Sequence, residues 1–141
     1  MVLKKKHNRK LTQFFIENKY KMVNVNDQIK EIQSYYSPKI IAEVNNEYVK
    51  IAKIKGDKVP WHSHENEDEL FYILEGSLVM ELEYQEPFIM QEGDVFVVPK
   101  SVNHKVSSKN ECVILLIESK TTLHTGNVIS EITKSIKSQK K

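Results

Sequence analysis

The sequence predicts a single all-β domain, a sandwich, barrel or jelly roll, with a short helix before it and a short helical tail after it. Two observations carry this prediction. Short apolar runs recur at roughly ten-residue spacing between Lys39 and Ile117, each closed by a turn signal rich in Gly, Pro, Asn, Asp or Ser. No helical period intervenes between them, which leaves no place for the crossover helices of a parallel sheet. Length and composition agree: 141 residues suit one domain, and 40% apolar with 28% charged residues can fill a core.

Residues 1–21 read as a basic arm whose apolar cluster, Phe14-Phe15-Ile16, has no clear continuation. Asn26 can cap a helix, Asp27 suits its first turn, and Ile29, Ile32 and Tyr36 fall on one face. Ser37-Pro38 should end that helix, because the residue before proline is pushed out of the helical region. Strands are then expected at Lys39–Val44, Tyr48–Ile54, Leu70–Leu74, Leu78–Tyr84, Phe88–Met90, Val95–Val98, His104–Val106 and Cys112–Ile117. The clearest is Leu78–Tyr84, where Leu78, Met80, Leu82 and Tyr84 alternate with Glu81 and Glu83 and so face the interior. Ile132 and Ile136 suit a short helix in a basic tail, residues 131–141, which leaves 22–130 as the domain proper.

Charge and composition exclude several function classes. The net charge of +2 divides into +6 over residues 1–21, −7 over 22–130 and +3 over 131–141. Basic charge confined to the ends, without interleaved Gly or aromatic repeats, reads as solvated tails rather than a nucleic-acid surface. No apolar run exceeds the six residues Cys112–Ile117, too few for a membrane-spanning helix, and no hydrophobic stretch follows the basic N-terminus as a secretory signal requires. A lone cysteine, Cys112, sits in an apolar run and reads as a small core residue in a reducing compartment, so a cytoplasmic location is expected.

Four side chains carry chemistry. In a strand, period two puts His62 and His64 on the same face, so both imidazoles can converge. Glu65-Asn66-Glu67-Asp68 reads as a solvated turn with an acidic rim, delivering Glu69 from the next strand, and His104 begins a later strand after Pro99. Three imidazoles and a carboxylate suit a borderline divalent transition metal and leave coordination positions for water or substrate. A His-x-His pair alone is a weak signal, and a single histidine or acidic-stretch glutamate is more often structural or solvated. His7 has no such context; His124, in a turn-like segment, is an edge-of-pocket candidate against the usual solvent-facing role of loop histidines.

The spacing of these residues lifts them above their separate weak signals. The chain reads Gly56, five residues, His62-Ser63-His64, four residues, Glu69, six residues, Gly76; then Gly93, five residues, Pro99, and four residues to His104. This resembles the two motifs of the cupin superfamily, G-x5-H-x-H-x3,4-E-x6-G and G-x5-P-x-G-x2-H-x3-N. Ser101 and Ser108 stand where that second motif has glycine and asparagine. A serine at a position of positive φ holds it at a cost. Ser37-Pro38-Lys39-Ile40-Ile41, Asp68-Glu69-Leu70-Phe71, Val98-Pro99-Lys100 and Thr125-Gly126-Asn127 extend the resemblance to small single-domain bacterial cupins of the mannose-6-phosphate-isomerase-like type. The resemblance implies a double-stranded β-helix with the metal inside one end. It also implies ligation by His62, His64, Glu69 and His104, and a homodimer. It fixes no reaction, since members range from isomerases and dioxygenases to sensors and storage proteins.

The function expected is that of a metal-dependent enzyme on a small organic molecule, of dioxygenase or isomerase type. The cofactor expected is one divalent transition metal, with Fe, Mn, Ni, Zn and Co not distinguished. The alternative is a non-catalytic metal-dependent binding or structural module. Alternation predicts a pocket wall of Phe71, Ile73, Leu78, Met80, Leu82, Tyr84 and Val106. That wall is apolar and offers a sugar phosphate little beyond Lys50 or Lys53, of which only one can face inward, so an apolar ligand fits better. Barrel core explains most of the same wall. Trp61 should face away from His62 and serve packing or an interface.

Overall fold

In the computed structural model, which describes residues 21–140, helix α1 (Val25–Glu31) begins at Asn24, whose side chain accepts a hydrogen bond from Asp27 N–H at 3.1 Å. The cap is therefore two residues earlier than the sequence suggests, and the helix stops at Glu31 rather than at Ser37. Packing explains both. Ile29 and Ile32 dock on Ile51 and Val113, on the outer face of the main sheet. Tyr36 is not on that helical face: it takes φ +56, joins the barrel core, and donates its hydroxyl proton to the Lys55 carbonyl. The two ends of the segment are drawn to opposite faces of one sheet, and a continuous helix cannot serve both. The arm's Phe14-Phe15-Ile16 and His7 lie outside the described residues.

Seven strands follow: β1 (Lys39–Val44), β2 (Glu47–Gly56), β3 (Glu69–Glu75), β4 (Ser77–Leu82), β5 (Phe88–Gln91), β6 (Val95–Val98) and β7 (His104–Ser119). All pairings are antiparallel. One sheet runs β1-β2-β7-β3-β6; β4 pairs with β5 and with the first part of β7. The expected strands at His104–Val106 and Cys112–Ile117 are thus one strand. Its first part pairs with β4, from Leu82↔His104 to Val79↔Ser107, and its second pairs with both β2 and β3. The polar stretch Lys109–Asn110–Glu111 looks like a turn because it is exposed, yet it continues the strand as an irregular stretch between the pairs Gly56↔Ser108 and Ile54↔Cys112, where β7 passes between sheets. Ser108 holds that bend: its buried hydroxyl lies 2.8 Å from the Ser77 carbonyl and 2.7 Å from that of Asn110. Gly76 turns β3 into β4 at φ +79, and a Cβ there would lie 2.6 Å from the Glu111 carbonyl oxygen, so only glycine fits.

Alternation then sorts the side chains. Ala52 and Ile54 of β2, Phe71 and Ile73 of β3, Leu78, Met80 and Leu82 of β4, and Ile114 and Leu116 of β7 share one core between the sheets. Ile51 and Val113, one residue out of phase, face the helix side. This two-sided burial is why β2 and the latter part of β7 read as continuous apolar runs. The expected β4 pattern breaks at its end. β4 stops at Leu82, Gln85 N–H closes a turn onto the Leu82 carbonyl at 3.3 Å, and Tyr84 is left at φ +62 and 99% exposed. Past the strand end, period two no longer governs direction.

Among the described residues the tail contains one short helix, α2 (Ile136–Gln139), capped by Ser135. Ile132, expected on that helix, precedes it and is buried in the barrel core. Gln139 is buried as well, so residues 131–140 pack back on the domain instead of trailing into solvent. No helix among the described residues is long and apolar enough to cross a membrane.

Candidate metal centre

Glu69 opens β3 and His104 opens β7, so both project inward at the same end of the barrel. His62 and His64 lie in the β2–β3 connection, outside any named strand. An isolated antiparallel bridge fixes them: His62 N–H donates to the His104 carbonyl at 3.0 Å, and His104 N–H returns to the His62 carbonyl at 2.8 Å. A second tie runs from Ser101 N–H to the His64 carbonyl at 2.7 Å. Making it places Ser101 at φ +67, the conformation for which the family motif uses glycine. A third tie comes from the C-terminal segment. Asn127 N–H donates to the Ser63 carbonyl and Asn127 Oδ1 accepts from Ser63 N–H, both at 3.0 Å.

These ties bring the four expected side chains together. One ligand atom from each of His62, His64, Glu69 and His104 lies within 4.8 Å of every other, and none of the four residues is more than 5% exposed. The ring of His62 stands 4.3 Å, centroid to centroid, from that of His104 and 5.2 Å from that of His64. A carbonyl can only accept. His62 Nδ1, 2.8 Å from the Pro60 carbonyl, and His104 Nδ1, 3.0 Å from that of Val102, therefore both carry protons. Their Nε2 atoms face the cluster, in the arrangement by which backbone carbonyls orient metal-binding imidazoles.

Electrostatics point the same way. Burial, reinforced by the neighbouring His104, lowers His62 to about 4, so it is a neutral donor at pH 7. Burial would raise Glu69, but its contacts with His104 at 3.2 Å and His64 at 2.9 Å outweigh that and hold it well below the usual carboxylate range. The same carboxylate, against the opposing effect of burial, raises His64. His62 Nε2 is buried with no hydrogen-bond partner among the described residues. An orphaned lone pair, aimed at two more imidazoles and an ionised carboxylate, fits a divalent transition ion in a mixed nitrogen and oxygen site.

A cavity of about 40 Å³ adjoins the cluster. At 10–15 Å³ per water this is room for about three water-sized groups. His62 and Glu69 contribute its polar end, and Phe71, Val106, Ile114 and Leu116 its apolar walls. Phe71 and Val106 were expected there. Ile73, Met80 and Leu82 are buried in the core instead, away from the cavity lining, and Tyr84 stands outside in solvent. Ile114 and Leu116 were missed because both faces of β7 are apolar, and alternation cannot say which face is inside. His124 and Ile132 close the cavity from the C-terminal segment. His124 Nε2 accepts from Lys134 N–H at 2.7 Å, and burial, with the charge of Lys50, lowers the ring to about 4.

The other sequence expectations find clear places. Lys50 is the inward lysine of β2, fully buried with its Nζ 3.0 Å from Glu118 Oε1, while Lys53 faces Glu111 near the surface. Glu118 was not singled out, because it lies one residue beyond the apolar run of its strand. Of the acidic rim, Asp68 accepts from Lys100 N–H at 2.9 Å, and Glu67 accepts from the buried Thr122 hydroxyl at 2.6 Å. Cys112 is buried and its thiol is pushed up to about 12, as suits a core residue.

Comparison with known proteins bears on the same residues. The family model for the cupin domain matches residues 52–118, which include all four cluster residues. The chain is 32% identical over 99 residues to the uncharacterized protein YdbB of Bacillus subtilis, spanning 70% of this chain and 84% of that one. Among solved structures it is similar to a cupin-2 domain containing protein of Shewanella frigidimarina, at 35% identity and a TM-score of 0.67, covering 74% of this chain and 99% of that chain. It is also similar to a protein of Neisseria meningitidis, at 30% identity and a TM-score of 0.65, covering 71% and 100%. Two sheets joined by a shared strand, four converging donors at motif spacing and these likenesses agree: the chain belongs to the cupin family, as a small single-domain member.

Proposed function

We propose that this protein is a metal-dependent enzyme. It holds one divalent transition metal with His62, His64, Glu69 and His104 and acts on a compact organic molecule in the adjoining cavity. The observation that carries the reading is the buried, partnerless Nε2 of His62, set beside three other donors. When bound, such an ion supplies Lewis-acid polarisation of a carbonyl or hydroxyl oxygen, the chemistry shared by isomerase-type and oxygenase-type sites. The rest falls to the chain. Nδ1 contacts to Pro60 and Val102 hold two donor rings in orientation, and Phe71, Val106 and Leu116 exclude water and receive the carbon part of the substrate. A sugar phosphate fits poorly, because among the described residues no arginine or lysine lines the cavity, the nearby Lys50 is paired with Glu118, and the cavity is small.

The reading includes a cytoplasmic homodimer. Tyr72 of β3 and, on the edge strand β6, its partner Val95 with Val97 expose apolar side chains at one end of the main sheet, a surface suited to a second copy. Protein purified without a histidine tag or chelator tests the central claim. Near-stoichiometric transition metal by elemental analysis, with metal-dependent turnover of small carbonyl compounds or oxygen uptake with phenols or thiols, is the expected result. Absence of bound metal would refute it. Retained metal and tight ligand binding without turnover under any metal would favour the binding module.

A further inference from the structure

Lys50 and Glu118 are both fully buried, and their side chains face the barrel interior. Their charged atoms approach to 3.0 Å, yet at an angle that makes no hydrogen bond. Lys50 Nζ and both Glu118 carboxylate oxygens have no hydrogen-bond partner among the described residues. Such a pair is costly in a protein interior unless further hydrogen bonds satisfy it, and each unsatisfied group calls for an occupant. Position says where that occupant comes from. Ile54 and Ala52 of β2 and Ile114 and Leu116 of β7 line the cavity; Lys50 and Glu118 are the next inward residues on the same two strands. On the other side, Leu70 pairs with Ile117, which sets Glu69 beside Glu118. Charge effects trace the same neighbourhood: Glu69 raises the Glu118 carboxyl, and Lys50 lowers His124 in the cavity roof.

We propose, resting on the function above, that Lys50 and Glu118 form a polar subsite next to this cavity, one inward position beyond its lining residues on β2 and β7. They take between them a hydroxyl group of a small hydroxy acid, whose carboxylate lies toward the imidazole cluster. A hydroxyl both accepts and donates, so it satisfies Nζ and one Glu118 oxygen at once. The pair is neutral as a unit and gives no advantage to a second anion. A divalent ion held there by three imidazoles and one carboxylate would leave net positive charge, which favours the carboxylate at the other end.

The test uses the full chain and two probes, glycolate and acetate, which differ by the hydroxyl. Their binding is measured by saturation-transfer NMR to zinc-loaded and metal-free protein, for wild type and for the double variant Lys50→Met/Glu118→Leu. Replacing both charges with apolar groups of similar size is the substitution a buried pair tolerates best. Wild type should prefer glycolate by about tenfold, the discrimination expected where a charged hydrogen-bonding site loses its partner, and the double variant should lose that preference while retaining zinc. No preference in wild type, or a preference that survives in the double variant, would overturn the proposal. Should the double variant not fold, Glu118→Gln keeps the shape, and the preference should fall several-fold; an unchanged preference again overturns it. Zinc content reports separately on the metal centre, because a wild type that takes up no zinc refutes that reading while the metal-free comparison still reads the pair.

Discussion

Gly126 lies against Ser63 so closely that a Cβ at position 126 would stand 2.3 Å from the Ser63 carbonyl oxygen and 2.9 Å from the ring of His62. The C-terminal segment thereby presses on the turn that presents two of the four cluster imidazoles, and Asn127 hydrogen-bonds both sides of Ser63. Glycine at φ +55 is what permits the approach. The segment acts as an outer support of the cluster as well as the roof of the cavity.

Gly126→Ala should therefore injure both stability and metal affinity. Backbone in the left-handed region costs a non-glycine residue about 1–2 kcal/mol, and the clash with backbone atoms adds to it. Supporting residues of metal sites typically carry about 10–100-fold in affinity. Chemical denaturation and competition with a chromogenic chelator would measure the two losses. An affinity equal to that of wild type would show that the roof does not hold the His62–His64 turn.

His62→Ala and His104→Ala should largely abolish metal retention, weakening affinity by more than about 100-fold, while the barrel still folds. Their effects on the metal-free protein should differ. His62→Ala loses a buried ring and its Pro60 contact but also an unsatisfied Nε2, whereas His104→Ala in addition strips a contact from the buried Glu69 carboxylate and should cost about 1–3 kcal/mol more. Elemental analysis and urea melts of both variants check this.

Acid should destabilise the metal-free protein in a defined window. His62 and His124 are both lowered to about 4 when folded, against an ordinary value near 6.5. A histidine held below its unfolded value takes up a proton on unfolding, so stability declines as pH falls from about 6.5 toward 4, and the lowered Glu69 carboxyl carries the decline on below that. Each histidine contributes a slope on the order of 1.4 kcal/mol per pH unit in its own window. His64 is raised, so below about 6.5 it is protonated in both states and adds nothing to the slope, whereas Glu118, raised by burial and the Glu69 charge to about 7, takes its proton earlier in the folded state and offsets about one histidine's share. Denaturant midpoints at pH 7, 6 and 5 should show the net fall, and His124→Asn should remove most of it.

Ser101→Gly should be mildly stabilising, by about 1 kcal/mol or less. It relieves a side chain at φ +67 and gives up only a 3.3 Å hydroxyl contact to the Glu65 carbonyl at the surface. A thermal melt decides the sign.

The sequence by itself determined the strand rhythm, the four donors and their convergence, because these depend on local signals. Turn residues end strands, period two sets facing, and motif spacing carries the cluster residues to the ends of neighbouring elements. Ser101 illustrates how far this reaches: its departure from the motif foretold a strained turn, and φ +67 is found there. Tertiary structure alone decided the rest. Whether Lys50 or Lys53 turns inward depends on which face of β2 meets the other sheet, and both faces are apolar enough to serve. Tyr36 left its helical phase because a core on the far side of the sheet drew it in, and Lys109–Glu111 continued a strand because β7 must cross between two sheets. Glu118 acquired its meaning only beside Lys50 and Glu69, from other strands. Local preference is worth tenths of a kcal/mol per residue, whereas burial of a large side chain is worth about 1.5–3, so where the two conflict the fold follows the core.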